Sequence, residues 1–150
     1  MKPERITPSH LPLVAELEKA VFHAPWTEQA LALLTGESGV GFVVAQEGQA
    51  LAYGGMLCVL DEGQITNIAT HPDHRRRGLA RLVVQALVDH ARERGLAEIS
   101  LEVRESNTAA IALYEQLGFV CVGKRPRFYT HPVEAALVMV LRIPGKKIGD

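Results

Sequence analysis

Apolar residues recur along the chain first at helical spacing and then at alternate positions, and the changes of period mark out the elements. Leu11, Val14, Leu17, Val21 and Phe22 share one face after Thr7-Pro8-Ser9, which predicts a first helix ended by Pro25. Thr27 is placed to cap a second helix that holds Leu31 and Leu34 and closes near Gly36. The period then shortens. Gly41–Glu47 and Ala50–Leu60 read as a hairpin turning at Gly48, and Asp61-Glu62-Gly63 leads into a further strand, Gln64–Thr70. A long helix begins near Gly78, with Leu79, Leu82, Val83, Ala86, Leu87 and Ala91 at helical spacing and Gly95 as its stop. Glu98–Arg104 alternates, with Ile99, Leu101 and Val103 on one face and Ser100, Glu102 and Arg104 on the other, as a strand does. Ser106-Asn107 caps a short helix ending at Leu117. Phe119–Lys124 and Ala136–Arg142 close as strands, with Gly123–Glu134 as the loop between them. The order predicts an α/β (α+β) architecture, a mixed sheet covered by helices.

Bulk properties narrow the class. A chain of 150 residues fits one domain, 1–150, with 143–150 as a flexible tail in which Pro144-Gly145-Lys146-Lys147 is a frayed end. Hydrophobic residues at 47% and charged residues at 22% indicate a globular chain rather than a disordered one. A formal net charge of −1 argues against a nucleic-acid binder, which would be strongly basic. No apolar run approaches the roughly 20 residues that span a bilayer, and Met-Lys-Pro-Glu-Arg leads into no signal-type core. A soluble cytoplasmic protein, with no membrane and no direct nucleic-acid partner, is expected. Cys58 and Cys121 each sit in an apolar stretch and read as buried, reduced thiols on strands. His71 and His74 resemble a metal pair, but Pro72 forbids a regular helix between them and no third ligand is evident, so no metal is expected. His131 reads as an exposed loop residue.

The segment richest in chemistry runs from Ile68 to Ala80, where a strand enters a basic, glycine-containing turn that opens an amphipathic helix. The first N–H groups of a helix lack intrahelical partners and carry the positive end of its dipole. Small side chains at Gly78 and Ala80 let a bulky anion reach that backbone, which makes a cradle for phosphate or pyrophosphate. The nucleotide motifs Gly-x-x-x-x-Gly-Lys-Ser/Thr and Gly-x-Gly-x-x-Gly are missing after every strand. By its residues alone the run Arg75-Arg76-Arg77 reads equally as a solvated helix start.

Arg75-Arg76-Arg77-Gly78-Leu79-Ala80 is similar to the Gln/Arg-x-x-Gly-x-Gly/Ala pyrophosphate signature of the GCN5-related N-acetyltransferase (GNAT) superfamily. Asn67-Ile68-Ala69, Leu101-Glu102-Val103-Arg104 and Ser106-Asn107-Thr108-Ala109-Ala110 through Leu113-Tyr114-Glu115-Gln116-Leu117-Gly118-Phe119 follow in that family's order and spacing. Pro25-Trp26-Thr27-Glu28 resembles a stretch of its bacterial ribosomal-protein-alanine N-acetyltransferase branch. The resemblance covers nearly the whole chain. It implies a central, mostly antiparallel sheet splayed between the fourth and fifth strands, here Gln64–Thr70 and Glu98–Arg104, with helices on both faces. It also implies acetyl-CoA as donor. Its pantetheine amides pair with the backbone of Ile68, Ala69 and Thr70, and its pyrophosphate rests on the run from Arg75 through Arg76, Arg77, Gly78, Leu79 and Ala80 to Arg81. Asn107 resembles the residue that hydrogen-bonds the donor.

An amine must lose a proton before it attacks a thioester. Glu102, on the polar face of its strand, is the candidate general base, directly or through a water. From the residues alone it also reads as a surface carboxylate paired with Arg104; the resemblance selects the base. An N–H near Ile68 or Ala69 can hold the developing oxyanion. Tyr114 is the candidate donor toward the departing thiolate, its ordinary pKa of roughly 10 keeping it protonated at neutral pH. The alternative, an aromatic packing its short helix onto the sheet, is better met by Leu113 and Leu117, four apart on one face.

Trp26, Tyr129 and Glu134 are the candidate acceptor contacts, and Trp26 reads also as a staple over the core. The alanine-acetylating branch reads Tyr-Tyr where this chain has Phe128-Tyr129, and Glu-Asp-Ala where it has Glu134-Ala135-Ala136. Three functions are therefore carried forward. They are acetylation of a protein N-terminal α-amine, such as alanine of a small-subunit ribosomal protein; acetylation of a small amine, a lysine side chain or an antibiotic; and a non-catalytic acyl-CoA sensor. Retention of both Glu102 and Tyr114 favours an enzyme over the sensor.

Overall fold

The computed structural model describes residues 1–144, so the tail expected at 143–150 lies almost wholly outside the described residues. Seven strands form one sheet in the order β1-β2-β3-β4-β5-β7-β6: β1 Glu4–Arg5, β2 Gly39–Gln46, β3 Gln49–Val59, β4 Glu62–Thr70, β5 Glu98–Arg104, β6 Val120–Thr130 and β7 Val133–Arg142. All neighbours are antiparallel except β4 and β5. Strand β1, two residues long, is too short to show alternation and was not expected. It makes Glu62–Thr70 the fourth strand of the sheet.

Helices α1 (Leu11–Val21) and α2 (Glu28–Leu31) cover one face, and α3 (Leu79–Arg94) and α4 (Thr108–Gln116) the other. On the α1–α2 side, Val14, Leu17 and Leu31 of the helices pack with Ile6, Leu34, Val43, Tyr53 and Ala69. Under α3 and α4 lie Val40, Leu51, Met56, Ile65, Val83, Leu87, Ile99, Leu101, Tyr114, Phe119 and Met139. Helix α1 stops when Phe22 turns extended, before Pro25 is reached. The Thr27 hydroxyl caps α2, accepting from the Ala30 N–H at 3.2 Å, but after Leu31 the chain tightens into a 3-10 turn, Ala32–Thr35. The β2–β3 hairpin turns on Glu47 and Gly48, both at positive φ, the two-residue geometry that suits strand twist.

Two sequence expectations fail for one reason. Gly123–Glu134 is no loop: β6 and β7 pair along Lys124↔Leu137, Arg125↔Ala136, Tyr129↔Glu134 and Thr130↔Val133, with an irregularity at Pro126-Arg127-Phe128. Strand β6 is the edge of the sheet and almost wholly exposed, so it neither alternates nor excludes proline. Cys121 lies on it and is exposed, whereas Cys58 is buried as expected.

An extra residue in β4 decides the site. Gly55 pairs with Asn67 while Met56 pairs with Ile65, so Thr66 is a bulge. Without it, Ile65, Asn67 and Ala69 would share a face. With it, Ile65 packs under α3, while Ala69 lies under α1 and Asn67 bonds to Glu18 of α1.

Candidate active site

Strands β4 and β5 pair only from Glu62↔Glu98 to Gln64↔Ser100 and then separate, while β5 goes on pairing with β7 as far as Arg104. Adjacent residues of β4 aim their N–H groups at opposite neighbours, so one of Ile68 and Ala69 points into the opening. Thr70 ends the strand, and the backbone turns through Arg75 to the start of α3. Arg76 lies at φ +64 and Gly78 at φ +73, a left-handed pair that turns the amides of the loop outward. A Cβ at Gly78 would meet nothing within 4 Å, so the front of this turn is open. Arg75, Arg76, Arg77 and Arg81 are exposed around it, and Leu79 is buried behind it. Arg77 Nη1 lies 2.7 Å from His74 Nδ1, His71 Nδ1 accepts from the Asp73 N–H at 3.1 Å, and Arg81 bonds Gln116 at the end of α4. Asn107 caps α4 by accepting from the Ala110 N–H at 3.2 Å, which spends its carbonyl oxygen and leaves its amide nitrogen for other partners. An open strand edge followed by an open helix start ringed by exposed arginines has the chemistry to take a long ligand that carries amides and a pyrophosphate.

On the opposite face, a cavity of about 240 Å³ lies between the segment after α1 and the β6–β7 hairpin. Phe22, His23 and Trp26 form one wall, Phe128, Tyr129 and His131 the other, with Asn67 and Arg104 also lining it. The His23 and His131 rings stack across it at 4.0 Å. Trp26 also packs on the core under α1, as a staple would, and lines this cavity with its remaining surface.

Glu102 sits on β5 between the buried Leu101 and Val103, and its side chain is 16% exposed. The sequence offered Arg104 as its partner, but Arg104 goes elsewhere: its guanidinium bonds Glu134 at 3.1 Å and lies 4.3 Å from the Tyr129 ring centroid. Glu102 instead has Arg125 at 4.0 Å, across a half-exposed gap where such a pair contributes little. Glu134 is fully engaged, one oxygen on Arg104 and the other accepting the Ser106 N–H at 2.7 Å, so it braces the hairpin and is not among the residues that line the cavity. Hydrogen bonding from Ser106, and from Arg104 after it, holds the Glu134 carboxyl below its ordinary pKa.

Tyr114 is the buried residue of α4, at 6% exposure, with Phe119 against its ring; Leu113 and Leu117, expected to do that packing, are only half-buried. Its ring is structural, which leaves the hydroxyl as its chemical part. Burial first, and Tyr129 second, push its pKa up to about 12. Tyr129 is raised as well, by burial first and then by the Glu102 carboxylate, so this tyrosine links the fields of the two candidate groups.

Sequence reasoning passed over Glu18. It is fully buried and accepts the Tyr53 hydroxyl at 2.5 Å, Asn67 Nδ2 at 3.0 Å and the Trp26 N–H at 2.7 Å. Burial foremost, and the carboxylate beside it next, raise the Tyr53 pKa. The available signal was a charge on the apolar stripe of α1, four residues after Val14.

A model of the Acetyltransferase (GNAT) family matches residues 11–119. The ribosomal protein bS18-alanine N-acetyltransferase of Escherichia coli is 41% identical over 135 residues, covering 89% of this chain and 91% of that enzyme. The enzyme of the same name from Salmonella typhimurium is 36% identical, covering 92% and 95%. A crystal structure of the Escherichia coli enzyme superposes with a TM-score of 0.89 at 36% identity, over 99% of this chain and 97% of that one.

Proposed function

The chain belongs to the GNAT family of acetyltransferases, and from that premise we propose that it acetylates the N-terminal α-amine of a protein, first of all the alanine of a small-subunit ribosomal protein. As a member of that family it is an N-acetyltransferase that takes its acetyl group from acetyl-CoA. The observation that carries the acceptor assignment is the walled cavity on the α1 side of the sheet, lined by Phe22, His23 and Trp26 and by Phe128, Tyr129 and His131. It has room for a chain end between two aromatic walls and not for a folded surface. The Escherichia coli and Salmonella typhimurium relatives are named as acetyltransferases of an alanine of ribosomal protein bS18.

In this reading the donor lies in the opening between β4 and β5. The backbone of Ile68, Ala69 and Thr70 takes its amides, the run from Arg75 through Gly78 to Arg81 its pyrophosphate, and Asn107 Nδ2 a further hydrogen bond. Glu102 removes the proton from the acceptor ammonium, directly or through a water. The free N–H of Ile68 or Ala69 faces the charge that develops on the carbonyl oxygen. The Tyr114 hydroxyl gives a proton, or a hydrogen bond, to the sulfur as the C–S bond breaks. Trp26 and Tyr129 contact the acceptor, and Glu134 acts through Arg104 and the hairpin. The chain 1–150 works as one N-acetyltransferase domain in the cytoplasm, where ribosomal proteins are made. Among the described residues no helix is long and apolar enough to cross a membrane.

Tyr114→Phe keeps the packed ring and removes the hydroxyl, so stability should hold while kcat falls by about 10²-fold, the low end for a general acid. With the pKa pushed up to about 12, wild-type kcat should show no descending limb where an ordinary tyrosine ionises. Unchanged kcat in the variant across the pH range would remove Tyr114 from the reaction.

The acceptor is tested by thiol release from acetyl-CoA with peptides starting in Ala or Ser, N-terminally blocked controls, polyamines, free lysine and aminoglycosides. Turnover confined to unblocked peptides is expected. Turnover on small amines alone would overturn the assignment while leaving the donor site intact. Donor binding without turnover on any of them would return the sensor reading.

A further inference from the structure

Glu18 has no part in the reaction above, yet it is the one charged side chain in the buried core among the described residues. It sits on the apolar stripe of α1, where a carboxylate is costly unless every lone pair is used. Three donors meet on it, two from strands and one from a loop: Tyr53 of β3, Asn67 of β4, and the backbone of Trp26 before α2. A carboxylate only accepts, so the Asn67 atom that faces it must be the amide nitrogen, and the amide oxygen must face the other way. The Thr66 bulge has already turned Asn67 to the α1 face, where it lines the acceptor cavity one residue from Ile68.

We propose that Glu18 is a positioning residue that locks the Asn67 carboxamide with its oxygen toward the cavity, and that this oxygen binds an N–H of the acceptor's first residue. The inference rests on the peptide N-terminus being the acceptor. Glu18 also holds the Trp26 N–H, so one buried carboxylate sets both the floor and one wall of the cavity. The assignment adds Asn67 to the acceptor-binding residues. It also gives the buried charge a role that a hydrophobic residue of the same volume could not fill.

Wild-type turnover of unblocked peptides is measured first; its absence removes the acceptor and this inference together. With turnover established, Glu18→Gln turns an amide nitrogen on Asn67, which must flip and present its own nitrogen to the cavity. The peptide KM should then rise about tenfold or more, the cost of an unmade buried hydrogen bond, with acetyl-CoA KM unchanged. Asn67→Leu should do the same. Tyr53→Phe removes the other donor to the same Glu18 oxygen but leaves that oxygen free to keep accepting from Asn67, so it should lower Tm and largely spare the peptide KM. The double variant Glu18→Gln with Asn67→Asp reverses the pair: the new glutamine donates and the new aspartate again offers oxygen to the cavity, so the peptide KM should return toward wild type. Equal Tm losses in all single variants with unchanged peptide KM, or a double variant no better than Glu18→Gln, would leave Glu18 a structural group only. Should Glu18→Gln fail to fold, Asn67→Leu against Tyr53→Phe decides the same point.

Discussion

Replacing Glu102 with Gln is expected to lower kcat by 10²- to 10⁴-fold, roughly the contribution of a well-placed general base, and to leave acetyl-CoA affinity almost unchanged. The two side chains have the same shape, and only the ability to take a proton is lost. The neighbours that anchor this part of β5, Leu101 and Val103, face the core under α3 and do not see the change. Arg104 is not released by the substitution, because Glu134 holds it. Arg125, at 4.0 Å and more than half exposed, loses an ion pair that solvent already screens. The turn at the start of α3, proposed to take the donor's pyrophosphate, lies at another part of the fold, beyond the end of β4. Steady-state kinetics with an alanine-starting peptide, beside a titration of acetyl-CoA into the variant, separates the two quantities. Equal loss of turnover and donor affinity would make Glu102 a structural carboxylate.

Gly78→Asp should act on the other half of the site and in the other direction: KM for acetyl-CoA rising about 10²-fold while Tm stays near that of the wild type. Gly78 lies at φ +73, a region that Asp tolerates better than most residues, and a side chain there meets nothing within 4 Å. A carboxylate at a helix N-terminus is favoured by the dipole, so folding has little reason to suffer. A pyrophosphate at the same place meets a like charge instead. At an effective dielectric of about 20 two unit charges 4 Å apart repel by about 4 kcal/mol. Exposure of the turn reduces that to roughly 2–3 kcal/mol, which is the 10²-fold. Gly78→Asn carries the same shape without charge and should change KM only slightly, and added salt should narrow the gap between the two variants. An unchanged KM in Gly78→Asp would move the donor's phosphates away from this turn.

The two substitutions touch residues that the sequence singled out, and the reason they were legible is local. The helix start at Gly78 depends on a few successive backbone angles, and a glycine-bearing turn after a strand announces it. Strand β5 has the bounds its alternation predicted, Glu98–Arg104, because one face is buried and the other is not. Strand β6 had no such contrast. Its residues are polar because it is an edge, and an edge strand looks like a loop when only composition is read. The burial of Tyr114 is hidden in the sequence for a related reason: spacing shows which residues share a helix face, and not which face the sheet will take.

Glu18 was beyond local reading altogether. Its partners are 8, 35 and 49 residues away in sequence, and only the closed fold brings their donors to one carboxylate. Asn67 faces them through a bulge of a single residue, which changes no periodicity that a chain by itself reveals.

By itself, then, the sequence determined the helices and strands whose faces differ in polarity, the arginine-rich glycine turn at Arg75–Arg81 that opens α3, and the candidate base Glu102, each of which follows from neighbours within a few residues. Only the tertiary structure decided that β6 and β7 are one long hairpin. It alone decided that Arg104 belongs to Glu134 rather than to Glu102, and that a buried glutamate accepts from an asparagine that lines the cavity. Those outcomes depend on which distant groups compete for the same hydrogen bond or the same buried face, and that competition exists only once the chain has closed on itself.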